Sequence, residues 1–167
     1  MLTGPSLVIG YTRGPVPLTD GQIVLRLLLA AGMGALLGAE REMRRKSAGF
    51  RTNILIAIGS CLFTIVGLSF GSGDPSRVTA QIVVGIGFLG AGAILHSGDT
   101  VHGMTTAAMI WVNAALGAAA GLGYFRLVMI AGALTLAVLL ILEPIERSFE
   151  RTLEHPNGQS PAVPPKR

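Results

Sequence analysis

Three side chains that could bind a metal ion lie close together in the sequence: His96, Asp99 and His102. Imidazole nitrogens and carboxylate oxygens are ordinary zinc ligands in proteins. Two histidines and one aspartate in a flexible loop do not define a metal site, so we keep them as candidate ligands and predict no resident cofactor. Mg²⁺ is compatible with the sequence as a ligand or an effector. The single cysteine, Cys61, excludes an internal disulfide and a cysteine-rich zinc site, and we expect it to be buried.

Seven polar residues lie inside long apolar runs or at their ends, where polar groups are costly and often functional. A pair formed by Glu40 with Arg41 or Arg51 could hold two helix ends together, and a solvated interfacial cluster is the alternative. Asp74 is also explained as a helix N-cap that precedes a proline at the first helical position. We predict as the functional polar set Glu40, Arg51, Asp74, Arg77, Gln81, Thr105 and Thr106.

Three further polar residues fall within the same apolar runs. Asn53 and Asn113 are expected to form hydrogen bonds between helices, which is the commoner role of amides in membranes. Arg26 lies about one turn from the start of the first run, so we expect its side chain to snorkel towards the lipid headgroups.

Glycine is frequent for so apolar a chain, with 23 residues. Small residues allow close contact between helix backbones in lipid, where the hydrophobic effect contributes little to helix association. Two Gly-x-x-x-Gly pairs and a dense group of four glycines therefore predict contact faces, either of a compact bundle or of a homo-oligomer. These helix-packing residues are Gly34, Gly38, Gly85, Gly87, Gly90, Gly92, Gly117 and Gly121.

One stretch of this glycine-rich region, Gly85-Ile-Gly87-Phe-Leu-Gly90, spells the dinucleotide-binding fingerprint. That motif binds phosphate only at a strand-to-helix turn inside a βαβ unit. Here it lies in the middle of an apolar run, so we expect no nucleotide site. The sequence also has no Gly-x-Ser-x-Gly nucleophile motif, and we predict no catalytic residues.

The elements that position these residues follow from composition. The chain has 167 residues, of which 50% are hydrophobic and 13% are charged, and its mean hydropathy is +0.61. An ordinary soluble domain carries about 25% charged residues, so a stand-alone soluble enzyme and a disordered chain are both excluded. Lys and Arg exceed Asp and Glu by 13 to 9, but they share the chain with long apolar runs, and we expect no nucleic-acid partner. The expected partner is the lipid bilayer.

Five apolar stretches are long enough to cross a bilayer as helices, which need about 20 residues each. We predict an all-α, polytopic membrane helix bundle of about five transmembrane helices. The last two are separated by very few residues, which indicates a tight hairpin, with a single broken helix and four spans as the alternative. The predicted spans are Gln22–Ala39, Thr52–Phe70, Val78–Leu95, Met104–Leu122 and Tyr124–Leu142.

The distribution of basic residues predicts the orientation, because such residues accumulate on the cytoplasmic side. The first loop and the tail carry Arg41, Arg44, Arg45, Lys46, Arg51, Arg147, Arg151, Lys166 and Arg167, whereas the other side receives Arg13, Arg77 and Arg126. The N-terminus is therefore expected outside and the C-terminus in the cytoplasm. The predicted organisation is an extracytoplasmic segment (1–20), a transmembrane domain (21–142), an interfacial amphipathic helix (143–155) and a disordered tail (156–167).

Several short sequence motifs, which follow one another along the chain over roughly residues 21–125, resemble the membrane domain of the MgtC/SapB family. The fourth and fifth of them together make the resemblance specific. They are Gly38-Ala-Glu-Arg-Glu42, Ala48-Gly-Phe-Arg-Thr-Asn53, Asp74-Pro-Ser-Arg77, Val84-Gly-Ile-Gly-Phe-Leu-Gly-Ala-Gly-Ala-Ile94, and Gly103-Met-Thr-Thr-Ala-Ala108 followed by Trp111.

This resemblance implies a multi-pass protein of the bacterial inner membrane that is tied to growth under magnesium limitation and, in pathogens, to survival inside macrophages. It implies a regulator that acts on other membrane machines, such as the ATP synthase or transporters. Many family members carry a cytoplasmic ACT-like domain after the fifth span, and this chain is expected to be a short member without it.

Three hypotheses about function follow. The first is a regulator that acts through helix–helix contacts, as a homo-oligomer or with another membrane protein. The alternative is a transporter or channel for Mg²⁺ or another cation, although no acidic residue lies near the middle of a predicted span and only a ring of Gln81 or Asn113 could contact the ion. The second alternative, a small membrane-embedded enzyme, lacks an evident nucleophile.

Overall fold

The computed structural model describes residues 18–69, 75–97 and 100–154. The chain forms two compact units, Met1–Gly132 and Ala133–Arg167. The elements, in chain order, are α1 (Asp20–Met43), α2 (Phe50–Ser69), α3 (Pro75–Gly92), β1 (Leu95–Ser97), β2 (Thr100–His102), α4 (Met104–Leu122) and α5 (Phe125–Glu154). The prediction of an all-α, polytopic architecture is confirmed.

Of the five helices in the described part of the chain, four are long and apolar enough to cross a membrane: α1, α2, α4 and the Phe125–Leu142 part of α5. The third, α3, is apolar but shorter. At 1.5 Å per residue its 18 residues extend about 27 Å, slightly less than the roughly 30 Å hydrocarbon core. The five helices were thus predicted correctly, and α3 is the one whose length is marginal for a span.

The predicted third span, Val78–Leu95, is displaced from the observed helix. The helix begins three residues earlier, at Pro75, a residue type that suits the first helical position. It ends at Gly92, where tighter backbone bonds from Ala93 to Gly90 and from Ile94 to Ala91 replace the helical pattern. Leu95 therefore lies in β1, not in the span.

A short β-hairpin, which the sequence analysis did not predict, connects α3 to α4. Its antiparallel register pairs Leu95 with His102, His96 with Val101 and Ser97 with Thr100. The segment expected to be a flexible loop is therefore partly ordered by backbone hydrogen bonds between two three-residue strands.

Two glycines with positive φ begin and end α4. Gly103 (φ +90°) precedes the helix, and a β-carbon at this position would collide with the backbone oxygen of Ala93. Gly123 (φ +83°) follows it and adopts the left-handed conformation that commonly ends helices. Only Gly123 and Tyr124 separate α4 from α5, so the two predicted helices are separate elements and the single broken helix is wrong.

The fifth helix is longer than the predicted span. It continues without interruption through Pro144 to Glu154, so the predicted amphipathic segment 143–155 is backbone-continuous with α5. Proline at position 144 removes one backbone donor from the helix interior. The interfacial role of this segment stays a prediction, and the predicted segments 1–20 and 156–167 lie largely or wholly outside the described residues.

Close backbone contacts join α1, α2 and α4 into one seam, which we call the glycine seam. A β-carbon added at Gly34 would lie 2.7 Å from the backbone oxygen of Asn53, and one at Gly38 would lie 2.9 Å from Phe50 Cα. Further along the same face of α2, Gly117 approaches the backbone of Ala57 and Gly121 approaches Cys61. The backbones can come this close only because no side chain lies between them.

The third helix packs differently. Ile82, Ile86 and Ala93 contact a cluster formed by Ala48, Ile56, Ile110 and Ala114. Among its glycines, Gly90 alone is buried in ordinary contact with Ala107. At Gly85, Gly87 and Gly92 an added β-carbon would meet nothing within 4 Å. The fingerprint-like glycines lie in the middle of a helix, as expected, and not at a strand-to-helix turn.

We predict that Gly34→Ala lowers the free energy of unfolding by about 1–3 kcal/mol, because the added methyl group must push the α2 backbone away. Gly32→Ala is the matched control on the same helix, since its β-carbon would meet nothing within 4 Å and alanine favours helix. Thermal unfolding of both variants in one detergent measures the difference. Equal melting temperatures would contradict the close α1–α2 contact.

Candidate functional site

Two polar clusters lie at opposite ends of the glycine seam. We call these ends inner and outer, after the predicted orientation. At the inner end, α1 places Glu40 and Arg41 in the protein interior, with 7% and 2% of their surfaces exposed. The Glu40 carboxylate lies 3.8 Å from Arg41 and forms an ion pair with Arg44 one turn later. Of the two predicted pairs of Glu40, the structure therefore has the one with Arg41, and Arg51 is exposed.

The buried guanidinium of Arg41 also connects α1 to α4. Its Nη2 donates a hydrogen bond to the Thr106 hydroxyl at 3.3 Å. A buried charge is costly unless it is paired and hydrogen-bonded, so Glu40 and Thr106 together stabilise Arg41 in this position. The neighbouring hydroxyl of Thr105 is exposed. Only one of the two predicted threonines therefore takes part in the cluster.

A pair of fully buried asparagines extends the inner cluster. Asn53 donates from Nδ2 to the backbone oxygens of Ala48 and Gly49, both at 2.8 Å. Asn113 donates from Nδ2 to the backbone oxygen of Asn53 at 2.6 Å and to its side-chain oxygen at 3.2 Å. The expected hydrogen bond between helices is confirmed, and it joins α4 to the start of α2.

The loop between α1 and α2 is held by a second carboxylate. Glu42 accepts a hydrogen bond from the backbone N–H of Phe50 at 3.0 Å and so caps the start of α2. Gly49 leaves room for this carboxylate, since a β-carbon there would overlap it. Glu40 and Glu42 therefore have separate structural partners, one inside the seam and one at the loop.

The outer end of the seam holds Arg26, whose expected snorkelling was wrong. Its Nη1 donates a hydrogen bond to the backbone oxygen of Gly121 at 2.6 Å. Carbonyls in the last turn of a helix have no partner within the helix and carry partial negative charge. Arg26 thus caps α4 from α1, and Gly123 leaves the space that its guanidinium occupies.

Between these clusters the seam is closed. Gly117 meets Ala57 backbone against backbone between the clusters, and Gly121, within the outer cluster, meets Cys61 in the same way. Cys61 is buried there, as expected. The buried hydroxyl of Thr64 donates within its own helix, to the backbone oxygen of Ser60 at 2.8 Å. The polar residues of the seam are therefore engaged with the protein itself.

The remaining predicted site residues lie apart from the seam. Arg77 and Gln81 are exposed on α3, and Gln81 borders a groove between α2 and α3. Asp74 lies outside the described residues, as does Asp99, and His102 is exposed. Within the part of the chain that the structure describes, no group of three His, Cys, Asp or Glu side chains could hold a metal ion. The loop candidates therefore stay untested as ligands.

The inner cluster is chemically unsuited to a cation, because two guanidinium groups already flank the Glu40 carboxylate. Its contacts instead fix the relative positions of three helices. Sequence reasoning omitted Arg41 and Arg26 from the predicted set. A signal for Arg41 exists, since it lies three residues after Gly38 and seven after Gly34, on the same helix face.

Comparison with known proteins connects these residues to a family. A sequence profile of the MgtC family matches residues 27–148. Protein MgtC of Salmonella typhimurium (strain LT2) is 44% identical over 119 residues, which cover 71% of this chain and 52% of that protein. "Putative magnesium transporter YhiD" of Escherichia coli (strain K12) is 43% identical over 133 residues, covering 74% and 62% of the two chains.

A third relative matches at similar identity. An uncharacterized protein of Synechocystis is 45% identical over 123 residues, which cover 73% of this chain and 53% of that protein. The chain thus spans a little over half the length of the Salmonella and Synechocystis relatives. No solved structure matches it.

We predict that Thr106→Val lowers the free energy of unfolding by about 1–2 kcal/mol, because it removes the buried acceptor of Arg41 and keeps the side-chain volume. Thr105→Val changes the adjacent, exposed hydroxyl and is expected to leave stability unchanged. Thermal unfolding in detergent compares the two. If both variants melt together with the parent protein, the Arg41–Thr106 contact does not stabilise the seam.

Proposed function

This chain belongs to the MgtC family, and from that premise we propose that it is a regulator in the response to magnesium limitation. It resides in the bacterial inner membrane and acts on other membrane proteins, such as the ATP synthase or transporters, through contacts between transmembrane helices. No catalytic step is proposed. The protein changes membrane energetics indirectly, through the machines that it contacts.

The observation that carries this proposal is the closure of the glycine seam. A path for Mg²⁺ needs oxygen ligands and room for the water molecules that this ion sheds reluctantly. Gly117 and Gly121 instead meet the α2 backbone directly along the seam, and Asn113 is engaged with Asn53. The polar residues of the seam thus serve helix packing, which supports a role through surfaces and not through a passage along the seam.

The exposed part of α3 offers a surface for such contacts. Gly87 has open space around it, and Val84 and Ala91, one turn away on either side, are exposed as well. Gly87 and Ala91 are two small residues four positions apart, a spacing that allows a second helix to approach closely in lipid. A transmembrane helix of a partner protein therefore fits this face of α3 better than it fits the closed seam.

Transport of Mg²⁺ is the second candidate function. The similar Escherichia coli protein carries the name "Putative magnesium transporter YhiD". In this reading Gln81 and the exposed residues at the two ends of the bundle contact the ion. The two candidates differ in whether the purified protein alone moves Mg²⁺ across a membrane.

A flux measurement separates them. The full chain is reconstituted into liposomes that contain a Mg²⁺-sensitive dye, and a Mg²⁺ gradient is applied with and without a membrane potential. The regulator proposal predicts no influx above that of protein-free liposomes. Saturable influx that depends on the protein would overturn it in favour of transport.

A growth assay tests the contact surface. In a bacterial strain that needs this protein at low Mg²⁺, we expect Gly87→Leu to abolish growth rescue, because the larger side chain keeps a partner helix away from α3. Gly32→Leu places the same change at an open position of α1 and should preserve rescue. Immunoblots of membrane fractions confirm equal amounts. Equal rescue by both variants would contradict the proposed surface.

A further inference from the structure

A groove of about 490 Å³ runs between α2 and α3, on the side of α2 away from Gly34 and Gly38. Two glycines deepen it, since an added β-carbon at Gly59 or at Gly85 would meet nothing within 4 Å. At the outer end the side chain of Val78 packs against Gly67 of α2. The groove is bordered by Gly59, Ser60 and Phe63 of α2 and by Gln81, Gly85 and Leu89 of α3.

The dimensions of the groove indicate whether a helix or a lipid acyl chain can bind in it. Its α3 wall, from Val78 to Leu89, is about 16 Å long, close to half of the roughly 30 Å hydrocarbon core. A membrane-spanning helix, about 30 Å long and 10–12 Å wide, does not fit within a groove of this length. A single methylene chain, with carbon contacts at about 3.5–4.0 Å, does.

Charge at the outer end of the groove narrows the choice of lipid. Arg77 is exposed and directly precedes Val78, and it lies one turn from Gln81 on the same helix face. A guanidinium matches the geometry of a phosphate group. About 6 Å deeper in the membrane, the Gln81 amide is at a depth where it can donate a hydrogen bond to an ester carbonyl of the same lipid.

We propose that the α2–α3 groove binds one anionic phospholipid, with its phosphate on Arg77, an ester carbonyl on Gln81 and one acyl chain against Gly59 and Gly85. The lipid belongs to the leaflet in which Arg77 lies. This site is separate from the Gly87 face, which points away from the groove because residues 85 and 87 are about 200° apart around the helix.

Native mass spectrometry of the full chain in detergent tests the proposal. Phosphatidylglycerol and phosphatidylethanolamine with identical acyl chains are added in equal amounts. We expect one tightly retained lipid and about a fivefold preference for phosphatidylglycerol, which one arginine near a membrane surface supplies. Equal retention of the two lipids, or a series of equally weak additions with no single retained molecule, would overturn the proposal.

Single substitutions in the protein test which residues contact the lipid. Arg77→Gln should abolish the preference for phosphatidylglycerol, so that both lipids are retained equally through their acyl chains. Gly85→Leu should fill the groove and lower the retention of both lipids. Gly87→Leu adds the same side chain on the other face of α3 and should bind lipid as the parent does. If Gly85→Leu lowers the melting temperature, Gly59→Leu fills the groove from the opposite wall. Unchanged retention in a folded Gly85→Leu or Gly59→Leu protein would contradict the site.

The outcome is independent of the proposed regulatory role. Loss of growth rescue in Gly87→Leu with normal lipid retention supports the contact surface alone. Loss of lipid retention in Gly85→Leu supports the groove alone. The failure of either proposal is therefore visible without the other.

Discussion

The distance between helix backbones is the constraint on which this structure depends. Lipid chains are as apolar as leucine side chains, so burial of apolar surface contributes little to holding helices together in a bilayer, and close van der Waals contact takes its place. In this protein Gly34 and Gly38 bring α1 against α2, and Gly117 and Gly121 bring α4 against the same helix. The central position of α2 follows from these contacts, and the geometry of both polar clusters depends on it.

The polar clusters are consequences of this close packing as well as supports for it. Once α1 and α4 lie on α2, Arg41 is removed from solvent, and its charge must be matched by Glu40 and the hydroxyl of Thr106. At the outer end Arg26 reaches the last turn of α4 because both helices contact α2. Removing one partner of a buried charge pair is costly, often by about 3–5 kcal/mol. Charged residues in this bundle are therefore part of its packing.

The third helix departs from that pattern, and the proposed interactions of the protein concentrate there. It contacts the rest of the bundle through Ile82 and Ile86 and leaves Gly85 and Gly87 open on different faces. A narrow groove on one face suits a lipid chain, whereas the other face suits a helix. The glycine seam is closed by backbone contacts, whereas α3 is exposed to its surroundings. This arrangement is compatible with a protein that acts through lateral contacts with other components of the membrane.

The sequence by itself determined the helices and their environment, because length, hydropathy and glycine punctuation act locally along the chain. It also indicated the family and the interhelical role of Asn53 and Asn113. Only the tertiary structure decided which polar groups meet. Arg26 bonds to a carbonyl 95 residues away, and no local pattern specifies that pairing. The groove at Gly85 also appears only in the tertiary structure, since it depends on how α2 and α3 pack against each other.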